Sequence, residues 1–418
     1  MKKLFLSFLL AAFGAIINTN AQSYDFPKAW QATPAFPSAE GFGKFASGGR
    51  GGIVVTVTTL EDDAEKPITG SLRWAVKQYP NEPITVVFNV SGWIILKDVL
   101  RINRSTGITI AGQTAPGEGI TIYPRMMSIN GAKNVIIRNM RFRNGSKGWD
   151  GSDLVKDIQG TLDQAMCAEN AENVIFDHCT FGWSAEEIVN NQTSHLQTYQ
   201  YCILHEGLYD AGHHKGSARS FGCQWGGGQS TFHHNMLIHN YSRSPRIQGA
   251  RKSAGDIVVY NEFLNNVIYN WGRQGAAYGG ENDQDGAYSG HQVNYCNNYY
   301  KPGPATKRAI TNPASYRFMS PSHATMVAEW HFSGNYMEGN ATITADNNKG
   351  VVNENPTLIK LLDHWLVPEV FYPGYRFDYE KYTYKDKMQT AEEAYQDVLA
   401  KVGCLTRDNI EKRLIKEC

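Results

Sequence analysis

Three groups of side chains in this sequence have the chemistry of a working site. Asp163 precedes the apolar run Val174-Ile-Phe-Asp177-His178 and Glu186-Glu187 follow it, so carboxylates flank one short element. Clustered carboxylates suit a hard divalent cation, which takes oxygen ligands. Lys215, within His213-His-Lys-Gly216, and the pair Arg243 and Arg246, within Arg243-Ser-Pro-Arg246, form the basic group. A guanidinium fork matches a carboxylate in shape and charge. His178, His233 and His234 are the third group. They read better as stacked, hydrogen-bonded residues on repeating strands than as metal ligands, with Asp177 bonded to backbone or to His178. Cys179, Cys202 and Cys296 fall at similar points of a repeat and read as buried free thiols. Cys404 and Cys418 could pair in the tail.

The elements that must position these groups are strands. Asn134-Val-Ile-Ile-Arg-Asn139 is echoed by Asn173-Val-Ile-Phe-Asp-His178, and further echoes run through Cys202, Asn235, Asn261, Asn297 and Asn335. Each is an apolar strand, a polar turn and a second apolar strand, and the interval averages about 33 residues. A repeat of that length, made of short strands, marks a solenoid in which Asn side chains can bond from coil to coil. Loops of unequal length would leave each coil and gather on one face. A β-sandwich would show hairpin turns every ~8–12 residues, which is shorter than these intervals. The expected fold is therefore all-β, a right-handed parallel β-helix. Short helices close it: Thr390 to Ala400, with a Thr390/Glu393 capping box, and Arg407 to Lys416, in a tail covering about 388–418.

Composition narrows the class. The 418 residues carry 40 Lys+Arg and 40 Asp+Glu, so there is no basic excess for nucleic acid. Hydrophobic content of 42% with zero net charge excludes disorder. Met1-Lys-Lys followed by the apolar, small-residue-rich Leu4 to Ile17 reads as an export signal cut after Ala21, and that run is too short to span a membrane. Residues 22–418 are expected to form one domain, exported to the periplasm or beyond, without a membrane span and as a monomer. Seven Cys, an odd and sparse number, argue against a disulfide framework.

An ordered set of motifs then carries a resemblance. Ala39-Glu-Gly-Phe-Gly43, Gly48-Gly-Arg-Gly-Gly52, Gly70-Ser-Leu-Arg-Trp-Ala75, Val87-Phe-Asn-Val-Ser-Gly92 and Thr109-Ile-Ala-Gly-Gln-Thr-Ala-Pro-Gly117 follow the order seen in secreted bacterial pectate lyases. Val174–His178 resembles that family's strand ending in Asp-His, Arg243-Ser-Pro245 its R-x-P motif, and Thr390-Ala-Glu-Glu-Ala-Tyr its C-terminal helix. The resemblance spans residues 35–410. It implies a calcium-dependent lyase that cleaves 1,4-linked polygalacturonate by β-elimination. By position it implies Asp163, Glu186 and Glu187 as Ca²⁺ ligands, Arg243 as the catalytic base, and Lys215 and Arg246 as substrate-binding groups. Thr161 stands where many members have a second Asp, so substrate carboxylates are expected to help complete the calcium shell. Gln248 stands where the second Arg is common.

The chemistry agrees with those roles. Elimination removes the proton on C5 beside a carboxylate, and that carboxylate must be neutralised by a cation before a carbanion can form next to it. A free guanidinium stays protonated, so Arg243 can act as base only in a dry, cation-rich setting. Three rivals are weaker. A polygalacturonase needs paired carboxylates for acid–base work, and Asp62-Asp63 lies far upstream. A pectin lyase, acting on methyl esters without calcium, would have replaced the acidic ligands. A non-catalytic glycan-binding β-helix has no use for Arg243 beside Asp163 and Glu187.

Overall fold

In the strand Glu172–Asp177 every side chain after the first is buried. Continuous runs of Val, Ile and Phe of this kind belong to parallel strands covered on both faces, where alternation has no purpose. The computed structural model describes residues 33–145, 163–213, 215, 218–251, 258–281, 290–321, 327–367 and 379–418. The export signal read at 1–21 and Thr161 lie outside them.

Among the described residues the strands form three sheets of 11, 9 and 8 members, paired in parallel. Each coil visits the first sheet, then the second, then the third. One coil runs through Glu172–Asp177, Thr180–Gly182 and Glu187–Asn190; the next runs through His195–Gln200, Ile203–His205 and Phe221–Trp225. This is the right-handed parallel β-helix expected from the repeat.

Its interior is a set of columns. In-register pairing stacks Ile137, Phe176, Tyr199, Phe232, Phe263, Tyr295 and Phe332 on successive coils. Ring centroids stand 4.6 Å apart for Phe176–Tyr199 and for Phe263–Tyr295. Burial of aromatic area at this density supplies much of the stabilisation of the stack.

On seven successive coils a single left-handed residue turns the chain from the first sheet to the second. Asn139, His178, Tyr201, His234, Asn265, Asn297 and Gly334 hold this corner, all at positive φ between 52° and 67°. His178, Tyr201 and His234 stack there at 5.1 and 4.9 Å, so these histidines are structural, as expected. Asp177 bonds Arg138, Gln200 and His178. The residue after the corner builds the buried ladder Asn235, Asn266, Asn298, Asn335 and, capping it, Asn347. Connections from the second sheet to the third are unequal, from the short step between Gly182 and Glu187 to the long one between Lys301 and Met319.

Two faces are covered. Residues 35–46 lie across the first sheet, and Gly43 is there because a Cβ would fall 2.0 Å from the Val174 carbonyl. The C-terminal helices Ala391–Lys401 and Asn409–Glu417 pack Val398 and Leu414 on Ile203, Met236 and Val267 of the second sheet. Their caps are Thr390/Glu393 and Asp408/Glu411. Buried pairs of Arg141 with Glu411 and Arg143 with Asp408 pin the tail. All seven cysteines are buried and free, so Cys404 and Cys418 do not pair. Cys179 and Cys202 share the position after the corner, whereas Cys296 ends a first-sheet strand. Among the described residues no helix is long and apolar enough to cross a membrane.

Candidate active site

The site lies where strands of the third sheet begin. Glu187 pairs with Phe221, Phe221 bridges to Ser242, and Arg246 pairs with Tyr278. Groups remote in sequence thus become neighbours on adjoining coils. Asp163, just before the strand Met166–Cys167, is tied to Glu186 by the bond from the Glu186 N–H to its carbonyl, 2.9 Å.

Beside these carboxylates the described segments 208–213 and 218–220 meet, the Arg219 N–H donating to the Tyr209 carbonyl and the Ser220 N–H to the Leu208 carbonyl. Lys215 Nζ and Arg219 Nη1 reach Glu186 Oε1, both at 3.2 Å. His213 Nε2 is 3.2 Å from Asp163 Oδ1 and 3.5 Å from Glu186 Oε2. Burial alone would raise the Glu186 pKa; Lys215, His213 and Arg219 outweigh it and hold the group below the ordinary carboxylate value. Glu186 is therefore an ionised carboxylate held by basic neighbours. Asp163, Glu186 and His213 place potential ligand atoms within 4.8 Å of one another.

Arg243 occupies the coil beyond Phe221, two coils from Glu186, in a left-handed conformation, φ 60°. That backbone costs a non-glycine residue about 1–2 kcal/mol, and here it accompanies a defined seat for the side chain. Its Cζ is 3.9 Å from the Phe221 ring centre, Nε donates to the Tyr278 hydroxyl at 2.9 Å, and Nη1 pairs with Glu187 Oε1. Burial lowers its pKa, Tyr278 opposes, Arg246 adds to the lowering, and the net direction is down. Arg246 donates to Gln224 at 3.3 Å and lies 5.7 Å from the Tyr278 ring centre. Arg243, Arg246, Arg273 and Tyr278 line an open cavity of about 600 Å³.

The six residues named from the sequence thus fall in one region, in two groups. Asp163 and Lys215 each meet Glu186, whereas the Glu187 carboxylate turns to Arg243. Sequence reasoning missed His213, although it lies two residues before Lys215. It also missed Phe221 and Tyr278, which no repeat or motif distinguishes.

No protein-family model matches the chain. It is 33% identical over 386 residues to the probable pectate lyase C of Emericella nidulans, covering 92% of this chain and 75% of that protein. The probable pectate lyase C of Aspergillus terreus is also 33% identical, over 387 residues, covering 92% and 76%. The Aspergillus flavus relative is 39% identical over 277 residues, but the chain spans only 56% of it. Among solved structures, the major allergen from cedar pollen superposes with a TM-score of 0.55 at 16% identity, covering 88% of this chain and 93% of that one. A thermostable pectate lyase gives 0.54 at 14% identity, covering 89% and 98%. At such identities the structural likenesses establish the fold alone; the similar fungal sequences carry more.

Proposed function

This chain belongs to the pectate lyase family, and on that premise we propose that its third-sheet site cleaves 1,4-linked polygalacturonate by calcium-dependent β-elimination. The observation that carries the reading is the position of Arg243, paired with Glu187 on the face where Asp163 and Glu186 meet, with its pKa depressed. Asp163 and Glu186 would hold Ca²⁺, with Glu187 as third ligand once its carboxylate leaves Arg243. The donors fit, because carboxylate oxygens on adjoining coils are what a hard cation selects. When bound, the ion neutralises the substrate carboxylate beside C5.

The chain's own groups do the rest. Arg243 takes the C5 proton on an Nη nitrogen, and it is favoured as base by burial and by Arg246. The electron pair of the C5–H bond becomes the C4=C5 double bond, and the C4–O4 bond breaks with its electron pair leaving on O4, which takes a proton from solvent as the shortened chain is released. Lys215, exposed and paired among the described residues with Glu186, can swing to a substrate carboxylate. Arg246 offers its fork to another along the cavity. Export of a mature chain beginning at Gln22, and action as a monomer, belong to the same proposal.

Polygalacturonate incubated with the protein should give products that absorb in the ultraviolet, because the new double bond is conjugated to the carboxylate. Chelation should abolish the signal, Ca²⁺ restore it, and Mg²⁺ restore it poorly because it dehydrates reluctantly. Reducing ends without absorbance would make the enzyme a hydrolase. Undiminished cleavage in excess chelator, faster on methylated pectin, would make it a pectin lyase.

A further inference from the structure

The imidazole decides what the group Asp163, Glu186 and His213 is. A ring nitrogen binds a metal through its lone pair, so the proton of a neutral imidazole must then sit on the other nitrogen. At His213 the backbone N–H of Lys215 donates to Nδ1 at 3.0 Å. A nitrogen that accepts a hydrogen bond carries no proton, which leaves the ring proton on Nε2. Nε2 in turn faces Asp163 Oδ1 and Glu186 Oε2 at 3.2 and 3.5 Å, with the imidazole fully buried. Two carboxylate oxygens are acceptors, so this tautomer is the one the surroundings favour at both nitrogens.

The lock is local. Lys215 is two residues along the same loop, so the turn that presents its ammonium to Glu186 also fixes the histidine ring. Resting on the calcium reading above, we infer that His213 is a positioning residue and not a metal ligand: its Nε2–H stands between the Asp163 and Glu186 carboxylates and holds them at one separation for the cation. The metal-binding set is then all oxygen. Such a set retains its preference for a hard ion, whereas an imidazole ligand would favour later transition metals.

The test titrates the full native chain, His213→Gln and His213→Ala with Ca²⁺ and with Mn²⁺ by calorimetry, and records pulsed EPR of bound Mn²⁺. The native spectrum should show no coupling to a ligand nitrogen. His213→Ala should weaken calcium binding by about 10–100-fold, the usual cost of losing a group that orients a ligand. His213→Gln, which keeps an N–H donor, should recover most of that loss. Nitrogen coupling in the native protein that disappears in both variants would overturn the inference, as would equal calcium affinity in all three. Failure of the underlying calcium reading looks different: the native chain would bind no Ca²⁺ and would cleave polygalacturonate in excess chelator.

Discussion

Arg243 is held on three sides by groups of different chemistry, and each predicts a different loss. Phe221 meets the face of the guanidinium, Tyr278 its Nε, and Glu187 one Nη. Arg243→Lys keeps the charge but loses the fork and the seat on Phe221, so turnover should fall by orders of magnitude while KM changes far less. Initial rates of ultraviolet product formation will check this; near-native turnover would reduce Arg243 to a clamp. Tyr278→Phe removes only the acceptor at Nε. Turnover about tenfold lower with KM nearly unchanged is expected, corresponding to about 1.4 kcal/mol. Arg243, Asp163 and Glu186 were legible because each sits in or beside a motif. Tyr278 and Phe221 were not, since their importance comes from register between coils, and third-sheet strands of two to five residues are too short to announce a register.

At the scale of the element, the asparagine ladder is where polar groups stabilise an apolar stack. Asn266 accepts from the Asn235 backbone N–H and donates to the Phe232 carbonyl, besides bonding the amides above and below. Asn266→Leu preserves size and strands both backbone groups, each at about 1–3 kcal/mol. Denaturant unfolding should show a loss of about 3–5 kcal/mol, and a loss under 1 kcal/mol would mean that water or a shift repairs the gap. The sequence pattern showed that such a ladder exists but misaligned its members. Asn139 and Asn297 are corner residues, Asn235 and Asn335 belong to the ladder, and Asn261 lies inside a strand. Asparagine suits a left-handed corner and a buried amide ladder equally well. Residue type therefore cannot distinguish two adjacent positions; the coil register does.

Across the whole molecule, the third sheet holds the site while chain segments cover the other two. One fastener of the cover is Glu262, fully buried, whose carboxylate accepts from Thr231, Tyr260, Tyr379, Thr383 and the Tyr384 N–H. Burial raises its pKa despite those bonds. The folded state thus binds this proton more tightly than the unfolded chain does. The contribution is complete below the unfolded pKa and is lost as pH rises through the folded one. Glu262→Gln does not titrate, so the Tm of the native protein relative to this variant should drop as the pH rises from about 4 toward the alkaline side. Thermal scans across that range settle it; a constant or rising difference would refute the assignment. The capped tail helices were readable from Thr390/Glu393, but the cover by residues 379–384 was not, because it depends on a carboxylate more than a hundred positions away. The one-residue corner has a consequence for inheritance. Because seven successive coils, from Asn139 to Gly334, turn from the first sheet to the second through a single left-handed residue, a length change elsewhere on those coils is reset before the next coil begins. Insertions between the second and third sheets, as between Lys301 and Met319, can then be written or erased without renegotiating the frame. Such a scaffold is a chassis on which selection, or a designer grafting foreign loops, can rewrite the cleft while the stack beneath it stays the same.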